Sequence, residues 1–310
     1  MRNIDPLRHC VVPSTRIALH ATASSVPRLF RALSKLPLRL LQAAGGLLGL
    51  VVYLVSPTYR RRLRANLAQA GYAPGRLALA AAWDAGRMVG ELPFVWFREG
   101  ARSAAARVRV VGRECVEQAR SEGRGVLYIT PHLGCFEVTA QVAATWGPIT
   151  VLYRPPHKRW LDALVQARAR GRLRIAPATI AGMRPLMRAL RAGEAVGLLP
   201  DQAPAAGEGV WAPFFGRPAY TMTLPARLAA LTRARIVLAF GERLPRGQGY
   251  VLHLSPLDAA LPDDPVAAAT QINSALENLI RMRPAQYLWG YNRYKTPAGV
   301  RPAPAGETAP

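Results

Sequence analysis

Short apolar runs punctuated by Gly and Pro alternate with amphipathic stretches along most of this 310-residue chain. Runs rich in β-formers predict strands at 107–111, 125–130, 150–153, 195–199, 236–242 and 250–255. Helical spacing predicts helices at 114–121, 135–146, 159–170, 183–192, 223–232 and 264–282. Further helices fill 60–96, with Asn66, Gly71 and Pro74-Gly75 as breaks. An extended piece starts at Ile175, and 210–215 reads as an apolar loop or edge strand. Strands alternating with helices predict an α/β layered fold, with a largely parallel central sheet flanked by helices.

One segment departs from the alternation. Residues 40–55 carry no charge and are mostly apolar. Sixteen helical residues span about 24 Å, short of the ~30 Å hydrocarbon core. Both flanks are basic, with Arg28, Arg31, Lys35 and Arg39 before and Arg60, Arg61, Arg62 and Arg64 after. Such symmetry gives no orientation across a bilayer and suits a helix dipping into one leaflet, its arginines on anionic headgroups. A tilted span and a buried core helix are the alternatives. Gly45 and Gly49 form a G-x-x-x-G able to seat another helix. The expected organisation is a poorly ordered lead-in (1–32), a membrane-anchoring or interfacial helix (33–60), the main domain (61–297) and a Pro/Ala-rich disordered tail (298–310). The run 17–23 is too short and weak for a signal peptide.

The chemistry concentrates in 125–137, GVLYITPHLGCFE: a buried strand, a turn punctuated by Pro131 and Gly134, and a helix start. In a continuous helix, residues five apart point about 140° away from each other. His132 and Glu137 therefore meet only if His132 lies in the loop and Glu137 in the first helical turn. A histidine held by a carboxylate at a strand's C-terminal end makes a good general base. The bland alternative is a capping or packing histidine. Cys135, inside the same turn, reads either as a thiol paired with His132 or, more simply, as a small buried side chain.

Charge narrows the partners. With 41 Lys and Arg against 18 Asp and Glu, the formal net charge is +23, which calls for an anionic partner. Nucleic acid is the weaker candidate, because zinc-finger spacing, RNP-like aromatics and a helix-turn-helix are all missing. Cys10, Cys115 and Cys135 are too far apart for a disulfide framework or a metal site. Neither a phosphate-cradling nor a dinucleotide-binding glycine motif appears, so no cofactor and no metal are expected.

Four features fall at predicted strand ends: PHLGCFE, YRPP, PDQ and the FFG loop leading to Thr221. Open α/β sheets bind ligands at the carboxyl ends of their strands, so all four are expected to line one cleft.

At these residues the chain resembles the lipid A late acyltransferases (lauroyl/myristoyl transferases) of the lysophospholipid acyltransferase superfamily. The likeness rests on HLGCFE at 132–137, YRP at 153–155, LDALVQARARG at 161–171, LRAGEAVGLLPDQ at 190–202, PFFGRPAYT at 213–221 and QYLWGYNRYKT at 286–296. It covers roughly 33–297, and RRLRANL resembles the end of the family's membrane-proximal start. Two departures are Cys135-Phe136, where the family commonly has Asn-Trp, and Tyr291, where it often has His.

The resemblance implies a lysophospholipid-acyltransferase-like fold with an N-terminal membrane-associated helix. It implies acyl transfer from acyl carrier protein to a hydroxyl of a lipid A precursor, at the cytoplasmic face of the inner membrane. His132 is then the general base and Glu137 orients its imidazole. Amides near Gly134–Phe136 are expected to hold the oxyanion. Arg154, Arg168 and Arg170 are expected to bind substrate phosphates. Asp201 and Gln202 are expected to shape the cleft, with Asp201 ion-pairing an arginine. Trp289, Arg293 and Lys295 either meet headgroups or cap the core. An acyltransferase for another membrane lipid and a non-enzymatic basic adaptor are the competing readings. Acyl chain length and the acylated hydroxyl are not encoded legibly.

Overall fold

The computed structural model describes residues 26–154, 164–166, 168–169, 171–257 and 259–303. Its helices are α1 (26–33), α2 (Leu38–Val55), α3 (Pro57–Gln69), α4 (Gly75–Gly90), α5 (Leu92–Phe97), α6 (Glu114–Ser121), α7 (Glu137–Trp146), α8 (Ile180–Arg191), α9 (Leu224–Thr232) and α10 (Pro265–Met282). The strands are β1 (Val108–Val111), β2 (Val126–Ile129), β3 (Ile149–Tyr153), β4 (Leu173–Pro177), β5 (Ala195–Leu198), β6 (Gly209–Phe214), β7 (Arg217–Met222), β8 (Arg235–Arg243) and β9 (Tyr250–Pro256).

Seven strands form one sheet in the order β1-β9-β8-β2-β5-β3-β4. Five of them, β8, β2, β5, β3 and β4, run parallel, while β9 pairs antiparallel with β8 and β1 parallel with β9. Central strands β2 and β5 are buried at every position, as parallel strands covered on both faces must be. Alternation then assigns the faces. Leu127 and Ile129 pack towards α8 and α10, whereas Val126 and Tyr128 pack towards α6 and α7.

Three expectations change here. Asn66 does not break a helix: α3 runs through it, and its amide donates to the Trp289 and Tyr291 carbonyls at 2.7 and 2.8 Å. Residues 26–33, placed mostly in the lead-in, are helical. The FFG loop does not line the cleft. It is the turn of a separate β6–β7 hairpin, with Phe214 paired to Arg217 and positive φ at both Phe215 and Gly216. That is the mirror-image turn that suits strand twist. Phe215 is held there by its amide donating to Glu277 at 2.7 Å.

Helix α2 lies against α4 through glycines. A Cβ on Gly86 would sit 2.1 Å from the Gly45 carbonyl oxygen, and one on Gly90 would sit 2.4 Å from that of Leu41. The G-x-x-x-G thus seats a second such motif, Gly86 and Gly90, at backbone contact distance. The opposite face of α2 is bare: Leu47, Leu48, Val51, Leu54 and Val55 are all more than half exposed. Its 18 residues are long and apolar enough to cross a membrane.

Candidate active site

The parallel strands β2, β3, β4 and β5 end on one side, so the chain leaving each enters one cleft. His132 follows β2, Arg154 follows β3, Ala178 follows β4, and Gln202 follows β5; all four line a cavity of about 390 Å³. A narrow slot of about 30 Å³ continues from it between α7 and the sheet, walled by Tyr128, Val151, Leu173 and Gly197. Phe136, Glu137, Val151, Arg168 and Leu199 border both spaces.

His132 is fixed by a residue 69 positions away. Its Nδ1 lies 2.8 Å from Asp201 Oδ1, and its backbone amide donates to Asp201 Oδ2 at 2.9 Å. Burial alone would raise the Asp201 carboxyl, but the charge and hydrogen bonds of His132, with help from Arg293, hold it below the usual range. An ionised carboxylate only accepts, so Nδ1 carries a proton, and Nε2 faces the cleft with Gln202 Nε2 3.2 Å away. Phe136 packs edge-on against the imidazole, with ring centroids 4.9 Å apart.

Glu137 therefore does not orient His132. Its carboxylate is held by Trp96 Nε1 at 2.9 Å and Arg168 Nη1 at 2.6 Å, in a nearly buried pair. The physical reason is direction: Glu137 opens α7 and points towards Trp96 of α5, while His132 turns towards Asp201 at the end of β5. Asp201, expected to pair an arginine, pairs the histidine. Arg168 reaches the cleft with its charge already engaged, Arg154 is exposed at the rim, and Arg170 lies outside the described residues.

The expected oxyanion amides are mostly committed. Gly134 N–H donates to the Gln286 carbonyl at 3.0 Å and Cys135 N–H to that of Gly241 at 2.7 Å, while Phe136 N–H has no partner among the described residues. Burial pushes the Cys135 thiol well up, with Glu91 adding to the shift, so the inert reading of this cysteine holds.

The turn is braced from behind. Gly134 takes positive φ, and a Cβ there would lie 2.1 Å from the Gly241 oxygen, so only glycine fits. Arg243, wholly buried, donates to the Gly134 carbonyl at 3.0 Å and to Glu91 at 2.6 and 2.9 Å. Gln42 of α2 also donates to Glu91, at 2.9 Å, which ties the apolar helix pair to the His132 turn. Sequence reading missed this network, because a buried arginine looks like any other until its carboxylates are placed.

The C-terminal cluster divides. Trp289 and Arg293 are core residues, with Arg293 donating to the Tyr220 carbonyl and Thr221 at 2.7 Å each, and Lys295 sits over the Tyr291 ring. The Tyr291 hydroxyl accepts from Ala203 N–H at 3.1 Å, bracing the Asp201–Gln202 loop.

Comparison with known proteins places the chain in a family. The family model for bacterial lipid A biosynthesis acyltransferases matches residues 13–296. The chain is similar to a lipid A biosynthesis lauroyltransferase of Escherichia coli (31% identical over 215 residues, covering 68% of this chain and 69% of that one). It is also similar to a lipid A biosynthesis palmitoleoyltransferase of E. coli (31%, covering 64% and 63%). A lipid A biosynthesis acyltransferase of Haemophilus influenzae is 30% identical over 189 residues, and there the match spans 58% of the relative's length. With a family match running through every strand end that builds the cleft, the chain belongs to the bacterial lipid A biosynthesis acyltransferase family.

Proposed function

We propose that this protein transfers a fatty acyl chain from an acyl carrier protein thioester to a hydroxyl of a lipid A precursor. The single observation that carries the reading is His132, held through Nδ1 by buried Asp201, with Nε2 turned into the cleft beside Gln202. The acceptor hydroxyl gives its proton to Nε2 as its oxygen attacks the thioester carbonyl carbon. The C–S bond then breaks, and the same proton goes to the leaving thiolate. Asp201 holds the tautomer and stabilises the imidazolium. No enzyme nucleophile is needed.

The apolar wall of the 390 Å³ cleft, formed by Leu92, Val151, Leu152 and Leu199, suits the acyl chain, with Glu137 and Arg168 beside it. Arg154 at the rim suits a phosphate of the acceptor, because its planar fork matches phosphate oxygens. The bare face of α2 and the arginines of α3 suit an anionic leaflet, at the cytoplasmic face of the inner membrane. The +23 charge suits both that leaflet and an acidic carrier protein.

Mass spectrometry of lipid A from cells lacking the protein tests the reading. Loss of one secondary acyl chain, restored by the wild type but not by His132→Ala, is the expected result. Unchanged lipid A, with another lipid losing an acyl group, would move the acceptor to a different membrane lipid.

A further inference from the structure

The Nε2 lone pair of His132 is already occupied. Gln202 Nε2 lies 3.2 Å from His132 Nε2, and an amide N–H so placed donates into the ring nitrogen that must take the acceptor's proton. Gln202 therefore yields its place whenever an acceptor hydroxyl binds productively. Its backbone does not move away, because Asp201 is fixed on His132 and the next amide, Ala203 N–H, is pinned to Tyr291 at 3.1 Å. Relocation of the amide is therefore by side-chain rotation.

That displacement has a chemical consequence. The incoming hydroxyl stands about 3 Å from the carbonyl carbon it attacks. A donor displaced by that hydroxyl lies beside the same carbonyl. Most of the turn's amides are engaged: those of His132, Leu133, Gly134 and Cys135 donate to Asp201, Pro131, Gln286 and Gly241. Trp96 Nε1 and Arg168 Nη1 donate to Glu137, while Phe136 N–H and the buried Arg168 Nε have no partner among the described residues.

We propose that Gln202 is a catalytic residue, which caps the His132 lone pair in the free enzyme and donates to the thioester oxygen as it becomes an oxyanion. The inference rests on the acyl-transfer reading above. As the acceptor oxygen bonds to the carbonyl carbon, the carbonyl π pair moves onto oxygen and Gln202 N–H stabilises it, beside Phe136 N–H. When the pair returns, the C–S bond breaks and the thiolate takes the proton from His132.

Steady-state kinetics of the full chain test this, with acyl–acyl carrier protein thioesters as donor and a diphosphorylated, partly acylated glucosamine disaccharide as acceptor. Gln202→Met keeps the side chain's length and removes the donor. Its kcat is expected to fall roughly 10²–10³-fold with the donor KM within about threefold, since the lost interaction forms only in the transition state. Gln202→Glu is nearly isosteric, places an acceptor facing the oxyanion, and is expected to lose at least as much. Thermal midpoints near that of the wild type confirm folding of either variant. A Met or Glu variant within about threefold of wild-type kcat overturns the inference while leaving the acyl-transfer reading intact. Absence of wild-type turnover on every thioester overturns that reading and the inference together.

Discussion

Asp201 grips His132 twice, by ring nitrogen and by backbone amide, although 69 residues separate them in sequence. Glu137, only five positions from the histidine, faces Trp96 and Arg168 instead. The two carboxylates therefore have separable roles. Asp201→Asn presents an amide to Nδ1 and favours the wrong tautomer, so kcat is expected to fall about 10³–10⁴-fold. Glu137→Gln keeps the tautomer and is expected to cost kcat less than Asp201→Asn, raising KM for the acyl donor. Kinetics of the two variants side by side decide it; a larger kcat loss at Glu137 would return the orienting role to that residue.

Acid stability carries a second signature of the same pair. The Asp201 carboxyl is depressed in the folded state, against the rise that burial alone would cause, by His132 and then by Arg293. A depressed carboxylate adds stability that is present above its unfolded value, near 3.9, and lost as pH falls through the folded value. Asp201→Asn lacks this ionisation. Denaturant midpoints are expected to separate wild type from variant at neutral pH and to converge below about pH 4. A gap that stays constant down to acid would mean that the pair contributes no ionic stabilisation.

The α2–α4 contact makes a prediction about size alone. Any Cβ at Gly86 meets backbone at 2.1 Å and must force the helices apart. Gly86→Val is expected to cost at least about 1–3 kcal/mol by overpacking and to lower the thermal midpoint by several degrees. Gly75→Ala, where a Cβ meets nothing within 4 Å, serves as the control and is expected to be neutral or slightly stabilising.

The bare face of α2 is expected to anchor the protein. Each large apolar side chain withdrawn from water is worth about 1.5–3 kcal/mol. Replacing Leu47, Leu54 and Val55 by Ser is expected to reduce co-sedimentation with anionic vesicles by more than about 100-fold. Because the three side chains are exposed in the folded chain, the thermal midpoint without vesicles should hardly change. Undiminished vesicle binding would assign the anchor elsewhere.

Local sequence determined the elements and most of what they carry. The 125–137 segment reads as strand, turn and helix because apolar runs, Pro131 and Gly134 act on neighbours a few residues away. Placing His132, Arg154 and the Pro-Asp-Gln run at strand ends was enough to predict a shared cleft, since parallel strands end on one side. Sequence reading also found Gly45 and Gly49, whose spacing is itself a helix face.

Tertiary structure alone decided which groups meet. That Asp201 rather than Glu137 takes Nδ1 depends on β2 and β5 being neighbours in register, Ile129 opposite Leu198. Strand order is set by long-range burial of both sheet faces, and no local spacing encodes it. The same holds for Arg243, which finds Glu91 and Gly134 across 152 and 109 residues, and for the FFG turn, which only its pairing into a hairpin removes from the cleft. Periodicity specifies what each segment buries, and packing specifies against which partner; the chemistry at His132 depends on the partner.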